Sequence, residues 1–312
     1  MTASTVEQQA RSLLAAFAAR RPLGAGSFIV TLYGDAIVPR GGRVWLGNVI
    51  AVCAEVGISE TLVRTAVSRL VSAGHLEGVR DGRRSFYSLT DSSLRAFDAA
   101  ADVIYGGPRS PDGDCWSLLV LPGSGMEEAA RRRLAKDSYG FLGPGLALRA
   151  GPAGAEETLP GALQFDARLH GEISRKALAD LAAEAWSLAG LADRYQAFCE
   201  RFAPLEHALS HAGGDAQRTP LALALRLLLV HDYRHLVLDD PALPADLLPA
   251  DWQGPQAQGL FASLYKRLDA QADRAIDTAF VDASGPLTVD KGILDKRREA
   301  LDLLLSRGHA AA

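Results

Sequence analysis

The sequence predicts an α+β protein with an N-terminal winged helix-turn-helix, a ferredoxin-like middle domain and an α-helical C-terminal domain. Three observations predict it. Between Ile58 and Leu89 a helical apolar period gives way to two short strand-like runs around an Asp-Gly pair. From Cys115 to Leu169 apolar strands alternate with a helical segment. From Leu191 onward helical periods succeed one another with only Gly- and Pro-rich interruptions.

Residues 1–26 read as a helical extension ending at Pro22, Gly24 and Gly26. The winged helix-turn-helix is placed at 27–90. Ser27–Ile37 is an apolar helix backing it, and Pro39-Arg40-Gly41-Gly42 is a loop. Val44–Val56 is expected to be the next helix, with Leu46, Val49, Ile50 and Cys53 inward, ending in a tight turn at Gly57. Ser59 is an N-cap residue for the following helix, in which Leu62, Val63, Ala66, Val67 and Leu70 recur at helical spacing. That leaves Ser59, Glu60, Thr61, Arg64, Thr65, Ser68 and Arg69 outside, side chains that can meet base edges and phosphates. Gly74 closes the helix. His75–Arg80 and Ser85–Leu89 form a hairpin through Asp81-Gly82, with Arg80, Arg83 and Arg84 at its tip. A polar-faced helix beside an arginine-tipped hairpin is the footprint of a winged-helix DNA binder.

Thr90-Asp91 caps a connector helix within 91–112, and the turn-rich Gly106–Asp114 marks a boundary. The middle domain, 113–173, has a strand at Cys115–Leu121, a basic helix at Glu127–Asp137 and strand-like runs at Phe141–Arg149 and Ala162–Leu169. This is the pattern of a split βαβ unit. The helical domain, 174–270, opens with Ser174–Ala189. Tyr195–His211 and Pro220–Leu238 then form a helical hairpin across Gly213-Gly214, and Asp239–Pro255 is a Pro-punctuated loop before the helix Gln256–Asp277. The tail, 271–312, carries an amphipathic helix at Asp290–Arg307 with Ile293, Leu294, Arg297, Leu301 and Leu304 on one side.

A chain of 312 residues is too long for one ordinary core and suits two or three domains. The net charge of −4 is unevenly spread: residues 27–90 hold seven Arg against five acids, residues 1–26 hold three Arg against one Glu, and the rest is acidic. Such a division keeps other surfaces off DNA. A reader of so little net charge binds duplex weakly alone, so a homodimer is expected. Cys53, Cys115 and Cys199 form no C-x-x-C pair and read as buried thiols in a reducing cytoplasm. Leu13–Ala19 lacks the flanks of a secretory leader, and the apolar run Leu221–Val230 is far shorter than a membrane span. A cytoplasmic protein with no membrane partner is expected.

Candidate chemistry is thin. His231 and His235 have the i, i+4 spacing of a zinc-binding helix, and His207 and His211 repeat it on the preceding helix. Across the expected hairpin the two pairs are offset by roughly 10 Å, too far for a shared ion. Gly123-Ser124-Gly125 lacks the spacing of a nucleophile elbow, and no P-loop occurs. Gly140-x-x-Gly143-Pro-Gly145 reads as a tight loop before a strand. No catalytic residue, cofactor or metal is assigned, and the chain is not expected to be an enzyme.

At this point the residues resemble a known family. SFIVTLYGDAIVPRGGRVWLG (27–47), ISETLVRTAVSRL (58–70), EGVRDGRRSFYSLT (77–90) and HDYRHLVLDDPALPADLLPADWQG (231–254) are similar to the PaaX family of bacterial transcriptional repressors, over about Ser27 to Leu268. The resemblance implies a reader akin to the GntR group, a ferredoxin-like middle domain and a helical C-terminal domain. It implies repression of an aromatic-acid catabolic operon, phenylacetate above all, through double-stranded operator DNA, with release by an aryl-CoA thioester. It puts base and phosphate contacts at Ser59, Thr61 and Arg64, and backbone contacts at Arg83 and Arg84. Glu60 departs from the basic residue of many such readers and suits a cytosine amino group. His235 departs from the HDYRR form of the C-terminal motif. A CoA thioester needs cations for its phosphates, for which Arg131, Arg132, Arg133, Arg234 and His235 are the candidates. The rival readings are an enzyme (nuclease or thioesterase) targeted by its winged helix, and a ligand-free DNA-bound scaffold.

Overall fold

The computed structural model describes residues 5–19, 23–111, 115–121, 126–152, 160–168, 172–212 and 221–310. In chain order these form α1 (Thr5–Ala19), α2 (Ala25–Leu32), a π-helical turn (Tyr33–Ile37) and a 3-10 turn (Val38–Arg40), then β1 (Arg43–Trp45), α3 (Leu46–Glu55) and α4 (Glu60–Ser72). The hairpin β2 (Leu76–Asp81) and β3 (Arg84–Leu89) leads into α5 (Asp91–Gly106). Next come β4 (Cys115–Val120), α6 (Glu128–Lys136), β5 (Gly140–Phe141), β6 (Leu146–Ala150), β7 (Leu163–Arg168) and α7 (Glu172–Ala185). The remainder is α8 (Leu188–His211), α9 (Ala222–Val237), a 3-10 turn (Ala245–Leu247), α10 (Gly254–Ala279), β8 (Val281–Asp282), β9 (Gly285–Pro286) and α11 (Lys291–Ala310). The architecture is α+β with a helical C-terminal region. Among the described residues no helix is long and apolar enough to cross a membrane.

Packing divides the chain into two units, Met1–Gly106 with Phe198–Arg234 and Pro255–Ala312, and Gly107–Ala197 with His235–Gly254. In the first, several expectations need correction. Val44 lies in a strand, not a helix: β1 pairs with β3, Val44 opposite Tyr87, so the wing sheet has three strands in the order β1-β3-β2. Its three residues are too few to leave a period-2 pattern. The β2–β3 register pairs Asp81 with Arg84, so the two turn residues are Gly82-Arg83, one position later than expected. Leu62 is not inward but 50% exposed, because the buried stripe of α4 is narrower than its apolar spacing, with Val63, Ala66 and Val67 at its centre. Ile50 is only half-buried, and Val52 joins the core. Ile293 is exposed on α11. The helix expected at 174–189 breaks at Ser187, which takes φ 50°, before α8 begins. Gly123–Gly125 and the turn at Gly213-Gly214 lie outside the described residues.

The centre of this unit is a carboxylate. Asp35 sits in the π-helical turn, fully buried, and accepts hydrogen bonds from Tyr105 Oη (2.9 Å), Tyr265 Oη (2.9 Å) and Arg226 Nε (2.9 Å). Arg297 Nη1 adds a fourth at 3.3 Å. Arg297 also donates to the Asp35 carbonyl (2.8 Å) and the Gly34 carbonyl (3.1 Å). Both carbonyls are open for a local reason. In a regular helix Asp35 O would meet the amide of residue 39, but Pro39 has none. Gly34 O would meet Val38 N, which instead donates to Tyr33 O, as a π-helical turn requires. Arg226 extends the cluster to Asp269 (3.1 Å) and Asp273 (2.8 Å), and buried Arg40 reaches Asp273 (2.8 Å) and Asp277 (2.9 Å). Asn48 of α3 is held through both ends of its amide, donating to Ala279 O and accepting from Val281 N.

The second unit is built on a four-stranded antiparallel sheet, order β5-β6-β4-β7. β6 lies between β4 and β5, so β4–α6–β5 is a split βαβ unit. One face, with Leu119 and Ala147, is covered by Leu134 of α6 and by Tyr139. The other, with Trp116, Leu148 and Ala150, is covered by Leu178 and Ala182 of α7 and by Leu243 and Leu247. The helices thus lie on opposite faces, because both carry apolar side chains.

Burial pushes the Asp35 carboxyl up, but Arg226 and Arg297, with the Tyr265 and Tyr105 hydroxyls, outweigh it and hold it below the usual range. Asp273 is likewise raised by burial and lowered further by Arg226 and Arg40. A carboxylate held low in the fold adds stability that is present above its unfolded value, about pH 4, and is lost as pH falls through the folded value. Asp35→Ala should cost about 3–5 kcal/mol, since it leaves two guanidinium groups buried against a missing charge. It should also flatten the acid limb of the stability curve. Urea denaturation of both proteins between pH 3 and pH 7 measures both effects.

Candidate nucleic-acid interface

The helix α4 and the β2–β3 hairpin carry the exposed polar groups, and each is fixed from behind. α3 ends when Gly57 N donates to Ala54 O and Ile58 N to Cys53 O. α4 ends identically, with Gly74 N to Val71 O and His75 N to Leu70 O. Both closures need a left-handed residue, and Gly57 (φ 82°) and Gly74 (φ 72°) supply it without a Cβ penalty. The first sets the tight turn between the two helices, and the second aims the chain into β2. Ser59 Oγ accepts the Leu62 amide at 3.5 Å, a long capping contact at the exposed start of α4. Burial pushes the Cys53 thiol up to about 12, so the cysteine of α3 is an inert packing residue.

All ten residues expected at the DNA surface are exposed: Ser59, Glu60, Thr61, Arg64, Thr65, Ser68, Arg69, Arg80, Arg83 and Arg84. The helix and the hairpin enclose a cleft of about 390 Å³ into which Arg64, Ser68, Arg80 and Ser85 all open. Four of these side chains have partners within the protein. Arg64 pairs with Glu60 at 2.7 Å. The Thr65 hydroxyl donates back to Thr61 O at 2.9 Å. Arg80 Nε donates to Gly82 O at 3.2 Å, within the hairpin. Arg84 stacks over the Trp45 ring, 4.9 Å from its centroid. That ring leans over the start of α3 where Gly47 leaves room, since a Cβ there would fall 2.5 Å from it. Sequence reasoning missed Trp45, which it places inside the expected Val44–Val56 helix and not in the strand before it.

Asp35 and Arg40 are buried and paired internally, so the exposed charges of this region are Arg43, Arg64, Arg69, Arg80, Arg83 and Arg84 against four acids. The residues considered for an anionic effector are scattered. Arg131 lies over Phe141 (4.2 Å) and donates to Gly143 O, while Arg132 pairs with Glu128 at 3.3 Å. Arg133 is exposed on α6. Arg234 donates to the Ser27 carbonyl (3.0 Å) and hydroxyl (2.6 Å), an internal tie between α9 and α2. The His235 carbonyl accepts from Arg194. His231 Nδ1 meets Thr31 Oγ1 at 3.0 Å, and His211 Nδ1 meets His207 O at 2.9 Å. Among the described residues no cluster of His, Cys, Asp or Glu has the makings of a metal site.

Comparison with known proteins adds an independent finding. The family profile described as PaaX-like protein matches residues 24–93, and that described as PaaX-like protein C-terminal domain matches residues 186–278. The chain is 35% identical over 278 residues to the transcriptional repressor PaaX of Escherichia coli K12, covering 86% of each. A solved structure of an uncharacterised protein from Mycobacterium tuberculosis is 26% identical, with a TM-score of 0.43 over 72% of this chain and 89% of that one.

The Glu60–Arg64 pair is exposed on both sides, so it contributes only about 0.3–0.5 kcal/mol to stability. Glu60→Gln should therefore leave the melting temperature nearly unchanged. It should strengthen binding to a random-sequence duplex at low salt and steepen the plot of log affinity against log salt by about 0.9, the signature of one more phosphate neutralised. Fluorescence anisotropy at four salt concentrations reads the slope.

Proposed function

The chain belongs to the PaaX-like family, and on that footing we propose that it is a transcriptional repressor that binds duplex DNA through α4 and the β2–β3 hairpin, as a winged helix. The observation that carries this reading is the shared cleft, because helix groups (Arg64, Ser68) and wing groups (Arg80, Ser85) open onto one surface. α4 is the length and polarity of a major-groove helix, and its first turn presents Ser59, Thr61 and Arg64 where base edges are read. The arginines of the hairpin suit phosphates, which fix position and carry no code. The weak net charge of the reader favours a homodimer on an inverted repeat, which doubles the phosphate contacts. Such a protein works in the cytoplasm, as a regulator and not an enzyme.

The signal in this reading is an aryl-CoA thioester, phenylacetyl-CoA foremost, released from an aromatic-acid catabolic pathway. Its polyanionic end needs cations. Arg132 and Arg133 are exposed on α6, and Arg109 and Arg149 line a cleft of about 380 Å³ in the same unit. Arg131 and His235 belong to that same unit, whereas Arg234 is in the other and is committed to Ser27. The middle sheet, with its split βαβ unit, is read as the ferredoxin-like domain. To relieve repression the thioester must bind the DNA-free conformation more tightly than the DNA-bound one, since equal affinity shifts nothing.

Two experiments test the reading. Arg64→Ala should cost about 1–3 kcal/mol on the operator and lower selectivity, whereas Arg83→Ala should weaken operator and random duplex alike. Loss of neither affinity nor selectivity in Arg64→Ala rejects α4 as the reading helix. In operator anisotropy at matched concentrations, phenylacetyl-CoA should release DNA, while phenylacetate and free CoA should not. Identical curves for thioester and free acid reject CoA sensing, and no response at all favours a DNA-bound scaffold.

A further inference from the structure

The first two turns of α4 carry a feature that neither hydrogen bonding nor charge explains. Leu62 is 50% exposed in the first turn, at the end of the helix away from the other exposed apolar side chains of the region, Val71 and Val79. Thr65, three residues on and therefore its neighbour on the helix surface, has its hydroxyl committed to the Thr61 carbonyl at 2.9 Å. With its one proton given to the backbone, the Thr65 hydroxyl can no longer donate outward, and beside it stands the methyl group. Leu62 and Thr65 thus form a small apolar step at the exposed N-terminal end of the helix. Arg69 neighbours it at i+7 from Leu62 and i+4 from Thr65, a cation that draws in phosphates and is poor company for an apolar protein partner.

We propose that Leu62 and the methyl group of Thr65 read thymine C5-methyl groups in the major groove, and so set the sequence preference of the repressor alongside its arginines. The inference rests on α4 being the reading helix. Among the four base pairs the thymine methyl is the one apolar feature of the major groove, and apolar side chains are what recognise it. Ser59, Thr61 and Arg64 then account for the polar edges, and Leu62 and Thr65 for the apolar ones. Removing a methyl group from such a contact forfeits about fourfold in affinity.

The probe is the inverted-repeat duplex that the full-length chain selects from a random-sequence library. Each thymine of a half-site is replaced in turn, in both halves, by deoxyuridine, which keeps the hydrogen-bonding edge and lacks only the methyl. The wild-type chain should lose about fourfold per half-site at one or two thymines and nothing at the others. Leu62→Ala should weaken the thymine duplex and lose the deoxyuridine penalty at one of those positions. Thr65→Ser, which keeps the bond to Thr61 O and removes the methyl, should do the same at the neighbouring one. Both residues are exposed, so melting temperatures should stay close to wild type. If the chain selects a site yet is indifferent to deoxyuridine everywhere, or if Leu62→Ala and Thr65→Ser retain the full penalty, the proposal is overturned while the reading helix stands. If the chain selects no site, or Arg64→Ala leaves selectivity intact, the reading helix falls and the proposal with it.

Discussion

The carboxylate of Asp35 is the point on which the first unit turns. It lies where a helix widens into a π-helical turn, and it collects two guanidinium groups and two phenols from α5, α9, α10 and α11. Burying a charge costs several kcal/mol, and such an ion pair adds little net stability over a well-packed apolar substitute. What it adds is definition. Apolar helix faces tolerate sliding by a fraction of a turn, whereas a guanidinium that must meet Asp35 on one edge and Asp269 and Asp273 on another fixes α9 and α10 in register against the segment behind the reader.

The same cluster explains why the reader can be small. Its core is formed by α2, α3, α4 and a three-stranded sheet, little enough that many domains of the size are marginal. Here the reader is backed by helices from much later in the chain. Asn48 ties α3 to the end of α10, Arg40 ties the loop before β1 to Asp273 and Asp277, and Arg297 supplies donors for two carbonyls that Pro39 and the π-helical turn leave open. With its back fixed in this way, the outer face of α4 can be given over to exposed polar and charged groups rather than to packing.

Much of this was legible in the sequence, and the gaps have physical causes. The reading of α4, its Ser59 start, its Gly74 stop and the following hairpin depends on local rules of periodicity and turn chemistry, and those rules operate at these residues. The exact turn was misplaced by one residue because Asp81-Gly82 is a good turn pair in isolation, while the register of β2 on β3 decides which pair turns. Spacing places Leu62 inward because it counts apolar residues and cannot tell the width of the face that a neighbour covers. Arg297 was seen on the apolar side of the last helix, but its partner stands 262 residues earlier, and no local pattern connects them. The exposure of the polar residues of α4 followed from helical geometry. That Thr65 spends its hydroxyl on its own backbone and that Arg84 lies on Trp45 are matters of side-chain rotamer, which sequence does not encode legibly.

The composition of the first unit from three separated stretches sets a timetable for making the protein. A ribosome extends the N-terminal stretch first, and α2 emerges with Asp35 long before Arg226 and longer before Arg297. Until then the buried carboxylate has no cationic partner, and the apolar backs of α2 and α3 have none of the later helices to cover them. Contacts so distant along the chain form late and slowly. A partly synthesised chain thus carries α4 and the β2–β3 hairpin without the later helices that back them. Only a chain extended as far as Arg297 completes the charge cluster around Asp35.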